Sequence, residues 1–169
     1  RMREAIQEGR ERESQDILRQ RAADKISQGA QLEVPSQLVE QRAQNRVSNM
    51  EHELQQRNAS LDEYLKSSEK TRDEFDAEIR SEIENEVRQE LVLDEVARRE
   101  ELSATPEEIE MHYHQVAAAM GMPIEEVVKR LEVDIARSSI LQRKAVDLIV
   151  QNANVTTVEE APQDENAAA

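Results

Sequence analysis

The chain has 169 residues, of which 35% are charged, and a formal net charge of -15 at pH 7. Such acidity argues against a nucleic-acid-binding surface and against direct contact with anionic membranes, because both require clustered lysine and arginine. The absence of cysteine excludes disulfides, thiolate metal sites and thiol nucleophiles. No apolar run approaches the roughly 20 residues that span a bilayer.

Turn-forming residues are scarce, and apolar residues recur at helical spacing. The whole sequence contains three glycines and four prolines, whereas a sheet-rich domain needs many tight turns. The aromatic fraction is 2%, so the helices must pack through narrow stripes of aliphatic residues. We therefore predict an all-α chain that is elongated, with a central body and two protruding helical hairpins, or arms.

The amino-terminal half predicts four helices. The first runs over about 2–28 and is expected to end at Gly29 in a left-handed cap. The second runs over about 36–57 with one apolar stripe. Ser60 and Thr71 are each followed three residues later by glutamate, which is the capping-box pattern, so they predict the starts of a short helix and of a long helix. In the long helix an apolar stripe with a spacing of four reaches a region around 91–97, where we place the centre of the body.

The carboxy-terminal half predicts a second hairpin. Thr105, Pro106 and Glu108 combine an N-cap, a proline at the first helical position and a capping-box acid, and Gly121 ends that helix. A single final helix is expected from Pro123 to about 152. These elements give one helical domain over 1–158, with arm 1 at about 36–100 and arm 2 at about 103–152. The remaining acidic segment, 159–169, is predicted to be a disordered tail.

The sequence predicts neither a catalytic residue nor a metal or cofactor site. His112 and His114 lie two residues apart, which on a helix points the two rings to different faces. Ser67 and Lys70 match a serine acyl-transfer pattern, but the partner motifs are missing. The abundant carboxylates are expected to form solvated ion pairs along helices, namely Glu84 with Arg88, Asp94 with Arg98 and Glu126 with Arg130.

Apolar residues near the tips of the two hairpins are the candidate binding residues. The alternative is that they only hold each hairpin together, and the sequence leaves both possibilities open. Methionines among them favour binding, because an unbranched thioether side chain adapts to varied partners. The candidates are Met50, Leu54, Leu61, Tyr64, Leu65, Phe75 and Ile79 in the first hairpin, and Val116, Met120, Met122, Val127 and Leu131 in the second.

Several segments, taken in order, resemble the carboxy-terminal domain of the bacterial trigger factor family. The connector and helix start at 32–40, with the sequence LEVPSQLVE, carries the resemblance first. The other segments are LDEYLK at 61–66, VLDEVA at 92–97, TPEE at 105–108, RKAVDL at 143–148 and NVT at 154–156.

This resemblance implies an ATP-independent chaperone domain that binds unfolded or nascent polypeptides through exposed apolar surfaces in the cytoplasm. It also implies that ribosome docking and prolyl isomerase activity belong to domains whose motifs are missing from this chain, which would not be an enzyme itself. A weak homodimer is left open. The rival interpretations are a structural helical adaptor for one fixed partner, and the related helical region of a periplasmic folding factor.

Overall fold

The computed structural model describes residues 2–155, without the side chains of residues 2–6, 8 and 12. All the regular structure in this range is helical, which confirms the predicted all-α class. The helices are α1 (Met2–Gly29), α2 (Ser36–Gln56), α3 (Leu61–Ser67), α4 (Arg72–Arg99), α5 (Pro106–Met120), α6 (Ile124–Arg130) and α7 (Val133–Asn152).

Three capping boxes begin helices where the sequence predicts them. The side chains of Ser60, Thr71 and Thr105 accept hydrogen bonds from the backbone N–H three residues later. In each case the glutamate at that third position accepts the N–H of the cap residue in return. Each box therefore satisfies two amides that a helix start would otherwise leave unpaired.

The first hairpin consists of α2, the short tip helix α3 and the first part of α4. Its core includes Val39 and Ala43 of α2, Leu65 of α3, and Phe75 and Val87 of α4. Ion pairs flank this narrow core, because the apolar stripes leave charged residues of α2 and α4 side by side. They join Glu40 to Arg80, Arg42 to Glu90, Arg46 to Glu86 and Glu51 to Arg72.

The body is formed by the end of α4, which packs against α7, and by α1, which packs on both. Leu93, Ala97 and Ala145 are its buried core, as predicted for the region around 91–97. An ion pair between Arg19 Nε and Asp147 Oδ1, at 2.8 Å, joins α1 to α7 at the surface of the body. The protrusion of the hairpins from this body stays a prediction.

The first helix ends at Gly29 as predicted, but its predicted cap conformation and one predicted ion pair are wrong. Gly29 does not adopt a left-handed conformation, since α1 ends through a hydrogen bond from the N–H of Ala30 to the carbonyl of Ser27. Asp94 does not pair with Arg98, because it accepts a hydrogen bond from Gln142 of α7 instead. Arg98 pairs with Glu95.

The predicted final helix is divided into α6 and α7. The break lies at Leu131 and Glu132, which are both extended, with ψ of 108° and 143°. Neither glycine nor proline occurs at this point, and the break is stabilised by a contact from α5. There the hydroxyl of Tyr113 donates a hydrogen bond to the carbonyl of Leu131.

Candidate functional site

Five of the twelve candidate binding residues lie inside packed cores. Leu61, Leu65, Phe75 and Ile79 are buried in the first hairpin. Val127 is buried in the second hairpin, which α5 and α6 form. Their stripes face a partner helix of the same hairpin, so these side chains are inaccessible to a ligand while the hairpin is closed. The positions of these five residues therefore agree with the alternative that they hold each hairpin together.

The other candidates are accessible to different degrees. Tyr64 and Met120 are exposed, Met120 by 60%. The half-buried candidates pack at the edges of the two cores, where one side of each side chain still meets solvent. They are Met50 and Leu54 in the first hairpin, and Val116, Met122 and Leu131 in the second.

An open groove with a predominantly apolar lining lies between α5 and α6. Its volume is about 550 Å³. Ile109 and Tyr113 line it from α5, and Ile124 and Val128 line it from α6. Val128 is 51% exposed, which is a large fraction for a valine flanked by other apolar side chains. The groove therefore offers an apolar surface that no other part of the described chain covers.

Local sequence sets the two walls of this groove. The α5 wall starts at the Thr105 capping box and ends at Gly121, whose φ of 62° allows the chain to reverse. The α6 wall begins after Pro123 and is anchored by Val127, which is 2% exposed. Burying Val127 on one side of a seven-residue helix turns Ile124 and Val128 toward the groove.

Charged groups lie on the rim of the groove and on the neighbouring parts of α5. Glu110, Glu125 and Lys129 line its rim. At the start of α5, Glu108 accepts hydrogen bonds from Lys144 of α7, which lower the pKa of the Glu108 carboxyl. On the face of α5 that meets α7, burial and the nearby Arg143 charge lower the pKa of His112, which favours a neutral ring. An apolar ligand with few charges, or one with cationic flanks, suits this rim.

Sequence reasoning missed four groove residues as binding candidates. The apolar lining residues Ile109, Tyr113, Ile124 and Val128 all lie outside the predicted set. A spacing of four joins Ile109 to Tyr113 and Ile124 to Val128, which signals one apolar face on each helix. The same spacing also marks ordinary core faces, so it identifies the stripe without showing which part of it stays open.

Other classes of site find no support in the described residues. Among residues 2–155, no three His, Asp or Glu side chains are grouped as metal ligands. The part of the chain that was searched contains no helix long and apolar enough to cross a membrane.

Comparison with known proteins agrees with this architecture. A family described as bacterial trigger factor protein C-terminus matches residues 1–151. Trigger factor of Carboxydothermus hydrogenoformans is 30% identical over 154 residues, covering 90% of this chain and 36% of the relative. Trigger factor of Caldicellulosiruptor bescii is 26% identical over 168 residues, covering 98% of this chain and 38% of the relative. The chain thus spans a little over a third of the length of these relatives.

A solved structure has the same fold. It is described as structures of, and interactions between, domains of trigger factor from Thermotoga maritima, and the TM-score is 0.63 at 19% identity. The superposition covers 82% of this chain and 83% of that chain. Because the family match extends over both hairpins and the body, the chain belongs to the bacterial trigger factor C-terminus family.

Proposed function

We propose that this chain is an ATP-independent chaperone domain that binds unfolded or nascent polypeptides. The observation that carries the proposal is the uncovered apolar groove between α5 and α6. Membership in the trigger factor family supports it, because the family's match lies on the region that contains this groove. The proposal includes a cytoplasmic location. It assigns no residue of this chain to contact with the ribosome.

The free energy available from apolar contacts in the groove is suited to reversible binding of an unfolded client. Covering an exposed valine, leucine or isoleucine side chain contributes roughly 1.5 to 3 kcal/mol. Micromolar affinity corresponds to about 8 kcal/mol, so a few client side chains in the groove suffice after the cost of ordering the client. A protein that binds the unfolded state of a client lowers the population that folds or aggregates, and this requires no nucleotide.

The proposed contact residues follow from accessibility. In the second hairpin they are Ile109, Ile124 and Val128 of the groove, together with Met120 beyond it. In the first hairpin they are the exposed Tyr64 and the half-buried Met50 and Leu54. The five buried candidates contribute by holding the two hairpins together.

A matched pair of substitutions tests the groove. Val128→Glu places a charge in the groove, whereas Val133→Glu places one on an exposed valine of α7 outside it. We expect Val128→Glu to weaken binding of reduced, carboxymethylated α-lactalbumin about tenfold, from the loss of one buried apolar contact. Val133→Glu should bind as the wild type does. Equal affinities for both variants would exclude the groove, and a wild type that binds no unfolded protein would exclude the function.

A further inference from the structure

Few hydrogen bonds or ion pairs join helix α6 to the rest of the protein. Its ion pairs join Glu126 to Lys129 and to Arg130, so they lie within the helix. Across residues 2–155, one side-chain hydrogen bond joins the segment 124–131 to another helix. In it the hydroxyl of Tyr113 donates to the backbone carbonyl of Leu131 at 3.1 Å. Polar attachment of α6 thus depends on one donor.

The neighbouring helix pairs are joined more extensively. Between α2 and α4, Arg46 meets Glu86 at 2.9 Å, and three further ion pairs cross the same interface. Lys144 of α7 donates hydrogen bonds to Glu108 of α5 and to the carbonyl of Ser103, which precedes α5. The weak attachment is therefore a local property of α6 and is not shared by these interfaces.

The chain on both sides of α6 allows the helix to move as a unit. Pro123 precedes it in an extended conformation, and Leu131 and Glu132 follow it in extended conformations. A helix of seven residues is unstable by itself in water, so α6 keeps its place by packing on α5. The apolar part of that packing centres on Val127, and the polar part is the Tyr113 hydrogen bond.

The surface beneath α6 is apolar. Tyr113 and Ala117 of α5 and Ala136 of α7 are buried there with Val127. Val116 and Met122 pack against this cluster as half-buried neighbours. Movement of α6 away from α5 would separate the two walls of the groove and uncover these side chains beside Ile109 on the α5 wall. The opened α5 surface would then offer a client more apolar contact than the closed groove does.

We propose that Tyr113 is a positioning residue for client binding, which holds α6 closed over this cluster through the carbonyl of Leu131. This inference rests on the proposed function. The open state binds clients more strongly, and the apparent dissociation constant is the intrinsic constant divided by the open fraction. The Tyr113 hydroxyl lowers the open fraction and thereby limits affinity.

The substitution Tyr113→Phe tests the sign of this effect. It keeps the ring and removes the hydroxyl, and losing a hydrogen bond of ordinary strength raises the open fraction roughly two- to tenfold. We expect the dissociation constant for fluorescein-labelled, reduced and carboxymethylated α-lactalbumin, measured by anisotropy, to fall by that factor. The melting temperature should fall at the same time. A purely structural role for Tyr113 predicts unchanged or weaker binding.

Two further variants serve as a control and as an independent test of the same effect. Arg88→Met removes another side-chain donor to a backbone carbonyl, that of Leu32, far along the sequence from the groove, and should leave affinity unchanged. Pro123→Gly loosens the other end of α6 and should strengthen binding as Tyr113→Phe does. Weaker or equal binding by both Tyr113→Phe and Pro123→Gly would overturn the inference.

Hydrogen exchange separates this inference from the proposed function. In the client-free protein, Tyr113→Phe should speed amide exchange in 124–131 by the same two- to tenfold, with no change in 75–90. Unchanged exchange in 124–131 would overturn the positioning role whatever the client result. A wild type that fails to bind the labelled client would instead reject the proposed function.

Discussion

Lys144 of α7 donates a hydrogen bond to the carboxylate of Glu108 at 2.8 Å, and Glu108 also closes the capping box of α5. One carboxylate therefore joins the start of the second hairpin to the body. Because these bonds favour the ionised form, the pKa of Glu108 is lower in the folded protein than in the unfolded chain.

This shift predicts an acid dependence of stability that Glu108→Gln should reduce. A group with a depressed folded pKa stabilises the fold above its unfolded pKa, roughly pH 4.3, and loses that contribution as the pH falls through the folded value. The drop in melting temperature between pH 7 and pH 3 should therefore be smaller in Glu108→Gln than in the wild type. Equal drops would show that the Lys144 contact has no effect on titration.

A non-glycine residue in the left-handed conformation ends α4. Glu101 has a φ of 52°, while the N–H of Leu102 bonds to the carbonyl of Ala97 at 2.9 Å. Glycine adopts this conformation without a Cβ clash, so Glu101→Gly should stabilise the protein by about 0.5 to 1 kcal/mol and raise the melting temperature by a few degrees. Asn58→Gly is the matched control, because asparagine already tolerates its φ of 56° and the change should be nearly neutral.

A substitution at Phe75 tests whether this residue packs the hairpin core or is available for binding. It is 4% exposed and packs edge-on to Tyr64, with ring centroids 6.3 Å apart. Phe75→Ala should lower the free energy of unfolding by about 3 to 5 kcal/mol, measured by urea denaturation. The comparison is Met120→Ala on an exposed side chain, for which a change within about 0.5 kcal/mol is expected. Similar losses in the two variants would contradict the burial of Phe75.

The ion pairs between α2 and α4 contribute modestly. Arg46 and Glu86 are both substantially exposed, so their pair should contribute about 0.2 to 1 kcal/mol. Arg46→Glu should lower the urea midpoint, and adding Glu86→Arg should restore it. Raising the salt concentration should shrink both effects, because salt screens exposed charges. A double variant no more stable than the single one would show that the pair is not coupled.

Helix starts were predictable because their signals are local. Ser60, Thr71 and Thr105 each lie three residues before a glutamate, and each begins a helix in the structure. The end of α6 was not predictable, because Leu131 and Glu132 carry no breaking residue. At that break the carbonyl of Leu131 accepts a hydrogen bond from the hydroxyl of Tyr113, which lies 18 residues earlier in the sequence.

The candidate site was predicted only in part. The apolar stripe of α4 and the apolar face of α6 have the same kind of spacing, yet Ile79 is covered by a neighbouring helix and Val128 is not. Exposure depends on whether another helix lies against a stripe, and the spacing of residues on one helix contains no information about its neighbour. Val127 and Val128 illustrate this limit, since adjacent valines are 2% and 51% exposed.

Tyrosine occurs twice in the chain and tryptophan not at all, with Tyr64 at the tip of the first hairpin and Tyr113 on the floor of the groove. Each hairpin therefore carries one natural fluorophore of its own. Emission and ring resonances of the two tyrosines can follow each hairpin separately in the unlabelled protein, with either Tyr→Phe variant isolating the other signal.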